Sequence, residues 1–163
     1  MKKGNILILN GGSSSLKFTL YNKRLEIIQK GLVEKIGQDK SFIIYNDKIF
    51  KFATIKDHLS ALKEIYQLLD NDKSVNLKEI TDIAHRVVHG GEKYKKTTKI
   101  TTSVKKNIAE LSKLAPLHNP ISLKIIKAAE KVFKKANHWA VFDTSFYSDL
   151  PEKAYIYPLP YIF

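Results

Sequence analysis

Apolar and polar positions follow two rhythms along the chain, and the shorter one governs residues 5–52. Asn5–Asn10, with Ile6-Leu7-Ile8-Leu9 at its centre, is a short apolar run of buried-strand length. It stops at a turn, Gly11-Gly12-Ser13-Ser14. From Ser15 the pattern has period two. Leu16, Phe18 and Leu20 share one face and Lys17, Thr19 and Tyr21 the other, as in a half-buried strand. A second turn near Asn22–Arg24 leads to a third strand from Leu25 to Val33. Ser41–Tyr45 and Lys48–Phe52 flank Asn46-Asp47 and predict a further hairpin.

The rhythm then lengthens. Asp57 is placed to cap a helix through Leu69, with Leu59, Leu62, Ile65, Tyr66 and Leu69 along one face. Ile80–Val88 reads as a strand ended by Gly90-Gly91. Ser103–Leu114 and Ile121–Ala136 read as helices separated by the Pro116–Pro120 loop, and His138–Phe142 as a short strand. Strands come first, then helix and strand alternate. This order predicts an α/β domain with a mixed sheet flanked by helices.

Composition mostly excludes. With 163 residues, 44% of them hydrophobic, the chain can bury one good core. No run of about 18 apolar residues is present, so no membrane partner is expected. Met1-Lys2-Lys3-Gly4 is basic, but Ile6–Leu9 is too short for a secretory signal. There is no cysteine, which removes disulfides and thiolate chemistry. A cytoplasmic location is expected. The charge of +12 raises the question of nucleic acid. Lysines are scattered, though, and only Arg24 and Arg86 are arginine among 28 basic residues. No aromatic RNA-binding signature or zinc-finger spacing accompanies them, so no nucleic-acid partner is expected. Attraction of anionic substrates is the milder consequence.

Four segments carry candidate chemistry. In Asn10-Gly11-Gly12-Ser13-Ser14-Ser15-Leu16-Lys17 the glycines permit positive φ and close ligand approach. Turn amides and three hydroxyls can donate to phosphate oxygens, and Lys17 can neutralise them. The segment leaves as a strand and lacks the P-loop consensus, so neither a Walker motif nor a dinucleotide fingerprint fits. A phosphate-binding hairpin and an ordinary polar turn both remain. In His85-Arg86-Val87-Val88-His89-Gly90-Gly91 a strand end delivers Arg86, whose planar fork suits a carboxylate or phosphate. His85 and His89 read more simply as packing or turn residues than as metal ligands. Leu114-Ala115-Pro116-Leu117-His118-Asn119-Pro120 is a rigid loop presenting His118 and Asn119, or a plain helix connector. Trp139–Ser145 ends a strand in Asp143, which can hold Mg²⁺, orient a metal-bound water, act as a base or cap a turn.

Together these segments resemble the acetate kinase family. Asn10–Lys17, His85–Glu92, Leu114–Pro120 and Val141–Ser145 match it in order and approximate spacing, and the tail from Leu150 to Tyr161 is similar to it as well. Propionate and butyrate kinases share much of the pattern. The resemblance implies an RNase H-like domain of the actin-like ATPase superfamily, working with a second such domain across a cleft. It also implies reversible transfer of the ATP γ-phosphoryl group to acetate, giving acetyl phosphate and ADP, with Mg²⁺. On that basis Asn10 helps hold the metal, Gly12, Ser13 and Ser15 line the phosphate site, and Lys17 contacts ATP phosphate. Arg86 binds acetate or the transferring group, Val88 and Leu117 line a pocket for the methyl group, His118 assists the transition state, and Asp143 is the active-site aspartate. Homodimers of the family form mainly through its second domain.

Some positions depart from the family pattern. Gly11 stands where a small side chain is usual, Phe18 for tyrosine, Ser145 and Tyr147 for alanine and histidine, and Ile121 for proline or alanine. The family's second domain is not in this sequence. The chain is therefore expected to be a truncated N-terminal half, inactive alone, or a non-catalytic phosphate-binding remnant. Residues 1–150 are expected to be the domain and 151–163 the start of a connection, ending in the apolar run Tyr161-Ile162-Phe163.

Overall fold

Period-two alternation builds the first half of the sheet. A computed structural model of the chain describes residues 4–51, 54–154, 156, 158 and 159. Met1-Lys2-Lys3, Phe52 and the Tyr161-Ile162-Phe163 run lie outside the described residues. Strands β1 (Asn5–Gly11), β2 (Leu16–Tyr21) and β3 (Ile27–Glu34) form an antiparallel meander. β4 (Phe42–Tyr45) and β5 (Lys48–Lys51) extend it through the expected hairpin. Asn46 and Asp47 both take positive φ, 46° and 64°, which suits a two-residue turn between twisted strands. β3 starts later than the expected Leu25. The Asn22 side-chain oxygen accepts the amides of Arg24 and Glu26 at 2.8 and 3.0 Å, and Leu25 adopts φ 63°, so the turn consumes two more residues.

The second half alternates helix and strand. Helix α1 (His58–Asn71) is capped by Asp57, whose carboxylate accepts the Ser60 amide at 2.7 Å. β6 (Ile80–Val87) follows, then a two-residue strand, β7 (Thr98–Lys99), too short to show any periodicity in the sequence. α2 (Thr102–Glu110) is shorter than expected because its last turn tightens into a 3-10 turn at Leu111–Lys113. α3 (Asn119–Val132) begins two residues early, with Pro120 in its first turn, where a missing N–H costs nothing. β8 (Asn137–Phe142) completes the sheet. Its order is β5-β4-β3-β2-β1-β6-β8-β7, with β1, β6 and β8 parallel and the other pairs antiparallel. This is the mixed sheet of an RNase H-like domain.

All three helices cover one face. Leu7 and Leu9 of β1, Leu16, Phe18 and Leu20 of β2 and Ile83 of β6 pack with Leu62, Ile65 and Leu69 of α1 and Ile125 and Ala129 of α3. Val87, Ala140 and Phe142 pack with Val104 and Ile108 of α2 and Ile126 of α3. The other face carries no helix among the described residues. Ile8 and Val141 there are 38% and 40% exposed. β1, β6 and β8 end on the same side, and the segments that follow them, 12–15, 88–91 and 143–147, meet at one rim. In open α/β sheets ligands bind at that rim.

Candidate active site

Strand register places the polar side chains on the helix-free face. Asn10 and Lys17 are direct cross-strand partners, so their side chains leave the sheet on the same side. Arg86 lies on the next strand and Asp143 follows the last residue of β8. The Arg86 Nε sits 3.0 Å from both Asp143 carboxylate oxygens, and Nη2 is 2.8 Å from Oδ2. Nη1 donates to the Asn10 Oδ1 at 3.2 Å. Asn10, Lys17, Arg86 and Asp143 therefore form one row across three strands and the end of a fourth. The Arg86 and Asp143 side chains are 50% and 39% exposed, so water and anions reach the pair. Hydrogen bonding to Asp143 raises the Arg86 pKa above its ordinary value, and the guanidinium is a fixed cation. Among the described residues, two of its five N–H donors stay free for a further anion.

Beside this row lies the β1–β2 hairpin. The Gly12 amide donates to the Ser15 carbonyl at 2.9 Å, and the Ser14 carbonyl accepts the Ile36 amide at 2.8 Å. The Gly12 carbonyl is 2.9 Å from the His58 Nε2. The amides and hydroxyls of Ser13, Ser14 and Ser15 have no protein partner among the described residues. The turn thus has its Gly12, Ser14 and Ser15 carbonyls engaged by protein donors while its serine donors stay unpaired among the described residues. Positive φ is not what its glycines supply: only Gly37 and Gly91 adopt it among the described glycines. Gly11 instead admits the close approach of α3, since a Cβ there would overlap the Ile125 Cδ1.

The 88–91 loop is tied down by side chains from two other segments. Asn119, fully buried, accepts the His89 amide at 3.1 Å and donates to its carbonyl at 3.0 Å. The Thr144 hydroxyl accepts the Gly90 amide at 3.0 Å, and the His89 Nδ1 accepts the Gly91 amide at 2.9 Å. Gly91 has φ 60°, as its turn requires. Val88 is half-buried, Leu117 is 74% exposed, and neither is enclosed by protein. His118 is exposed at the start of α3, and its ring makes no hydrogen bond among the described residues. The expected methyl pocket and the His118 contact are therefore not assembled in this chain, whereas the Asn10–Lys17–Arg86–Asp143 row is.

Residues 5–163 match the model of the acetokinase family. The chain belongs to that family. It is 45% identical over 161 residues to acetate kinase of Staphylococcus aureus, covering 96% of this chain. The fold is similar to that of Porphyromonas gingivalis acetate kinase, with TM-score 0.87 and 36% identity over 98% of this chain. It is also similar to a propionate kinase from Francisella tularensis, with TM-score 0.86 and 32% identity over 97% of this chain. These are actin-like ATPase folds. The chain spans about 40% of the length of these relatives, 40% of the Staphylococcus protein and 42% and 41% of the two solved structures.

Three residues that hold the loops of this rim were not legible as such. Asn119 and Thr144 hold the 88–91 loop, and His58 holds the hairpin, across sequence separations of 30, 54 and 46 residues. Asn119 and Thr144 fell within motifs of the sequence, but their roles needed the partner backbone to be seen. No helix among the described residues is long and apolar enough to cross a membrane.

Proposed function

We propose that the chain supplies the phosphate-binding half of a cytoplasmic acetate kinase site, which transfers the ATP γ-phosphoryl group to acetate and back. The observation that carries this reading is the hairpin of serine donors, Ser13–Ser15, unpaired among the described residues and standing beside the Lys17–Asn10–Arg86–Asp143 row. A carboxylate substrate, with an ordinary pKa of about 4, is already ionised at neutral pH and needs no base. Catalysis must instead bring two anions together and spread the developing charge. Lys17 and the serine donors suit the nucleotide phosphates. The free donors of Arg86 suit the acetate carboxylate or the group in transfer. Val88 and Leu117 would bound the methyl group, and His118 would add a donor, once the remainder of the family's length closes over this rim.

A divalent cation fits the donor set as a phosphate-riding ion. Mg²⁺ commonly takes one or two protein oxygens and completes its shell with water and phosphate. The Asn10 Oδ1 and the Asp143 carboxylate are the two such oxygens here, both on Arg86. Among the described residues no group of three or more acidic, His or Cys side chains offers a full protein cage. When bound, the ion would neutralise phosphate charge. Asp143 orients Arg86 and would help hold the ion rather than remove a proton.

The test is acetyl phosphate formation by this chain alone and with the complementary portion of a full-length relative added. Activity is expected only in the mixture, and acetate, propionate and butyrate compared there decide the acid. A folded mixture that binds neither Mg·ATP nor tripolyphosphate sinks the reading.

A further inference from the structure

Histidine 58 stands outside every motif quoted for the site, yet it is built into the phosphate hairpin. It is the first residue of α1, 8% exposed, and its Nε2 lies 2.9 Å from the Gly12 carbonyl oxygen. A carbonyl can only accept, so Nε2 carries the hydrogen. A peptide unit is planar and trans, so the C=O of one residue and the N–H of the next point in opposite directions. Pinning the Gly12 carbonyl against α1 therefore aims the Ser13 amide away from the protein. The Ile36 amide does the same at the other end of the turn: it pins the Ser14 carbonyl at 2.8 Å and thereby aims the Ser15 amide. The two anchors are themselves joined, since the Gly37 amide donates to the Ile55 carbonyl at 2.7 Å, close to Asp57, the α1 cap.

We propose that His58 is a positioning residue for phosphate binding: its hydrogen bond to the Gly12 carbonyl orients the Ser13 peptide so that the amide faces the nucleotide phosphate. This rests on the phosphate reading of the hairpin given above. With the bond absent, the Gly12–Ser13 peptide is free to turn, and its carbonyl, a partial negative charge, can face the anion. His58 acts through the backbone and does not touch the ligand.

The experiment uses this chain, tripolyphosphate as the probe, calorimetric titration for affinity and amide NMR shifts of Ser13 and Ser15 for geometry. Wild type is expected to bind and to shift both amides. His58→Leu keeps the bulk and loses the donor. It is expected to bind about tenfold more weakly, the scale of one hydrogen bond, with the Ser13 shift reduced and the Ser15 shift retained. His58→Gln restores a donor at similar reach and is expected to recover affinity to within about threefold. His58→Leu binding like wild type with an unchanged Ser13 shift overturns the proposal. Should His58→Leu fail to fold, His58→Gln decides: folded with wild-type affinity supports it, folded without binding overturns it. No binding by wild type is a separate result, which removes the phosphate reading and this role with it.

Discussion

Strands β6 and β8 carry two polar clusters back to back, one on each face of the sheet. On the open face Arg86 and Asp143 form a half-exposed ion pair, with guanidinium donors to spare. On the helix-covered face His85, one residue away, meets His138 at 3.0 Å with rings stacked 5.3 Å apart. The Phe133 carbonyl lies 3.4 Å from the His138 Nε2, which must donate to it. Neutral His138 then accepts from the His85 Nε2, and the His85 Nδ1 is left as a buried nitrogen without a partner among the described residues. Burial, and then the neighbouring His138, push the His85 pKa down to about 3; burial also lowers that of His138. The contrast teaches that alternation along a strand assigns charge state as well as position. A charge survives where water and anions reach it, and a base sealed under helices stays neutral.

Breaking the covered side gives the largest expected loss of stability. Phe142 is 1% exposed and stacks on Tyr94 with centroids 4.7 Å apart, so Phe142→Ala is expected to cost about 3–5 kcal/mol in urea unfolding. A cost under about 1 kcal/mol contradicts the second core cluster as described. On the open side, Arg86→Ala is expected to leave unfolding within about 1 kcal/mol of wild type. It should cut turnover by about a hundredfold or more in the activity-competent mixture. Near-normal turnover by that variant would break the assignment.

Acid sharpens the contrast further. His85 and His138 have folded pKa values below the ordinary 6.5, so the unfolded chain binds more protons as pH falls through that value. The stability they contribute is fully present above about pH 6.5 and is lost as pH falls towards the folded values. The limit is about 1.4 kcal/mol per pH unit for each histidine. Asp57 and Asp72, whose pKa values hydrogen bonds to Ser60 and Ser74 hold below 3.8, add their loss only at lower pH. Urea midpoints between pH 7.5 and 4.5 are expected to decline, and His85→Leu to flatten the curve; a flat wild-type profile would refute the buried neutral pair. The smallest effect is expected from Lys105→Ala. It breaks a partly exposed pair with Glu130 at 2.7 Å, is worth no more than about 1 kcal/mol, and should leave turnover unchanged.

Legibility followed the length of each signal. Period-two and helical patterns placed β1, β2, β4, α1, β6 and β8 nearly to the residue, and Asp57 was readable as a cap because capping is local. Ends were misjudged where a single side chain or a tightened turn intervened, as at Asn22 before β3 and at Leu111 after α2. In the candidate site, Asn10, Ser13, Ser15, Lys17, Arg86 and Asp143 were identifiable by residue type and strand-end position. The positive φ that Gly11-Gly12 permits is not adopted; Gly11 instead makes room beside Ile125.

Sequence alone determined what depends on neighbours within a turn or two: strand faces, helix stripes, caps, and the supply of donors and charges near each strand end. Tertiary structure alone decided which of those groups meet. That Arg86 reaches both Asp143 and Asn10 and that His85 finds His138 follows from the β2-β1-β6-β8 order and register, and that His58 grips Gly12 follows from the packing of α1 on the sheet. Strand order is set by the shared burial of residues far apart in the chain, and no local pattern encodes it.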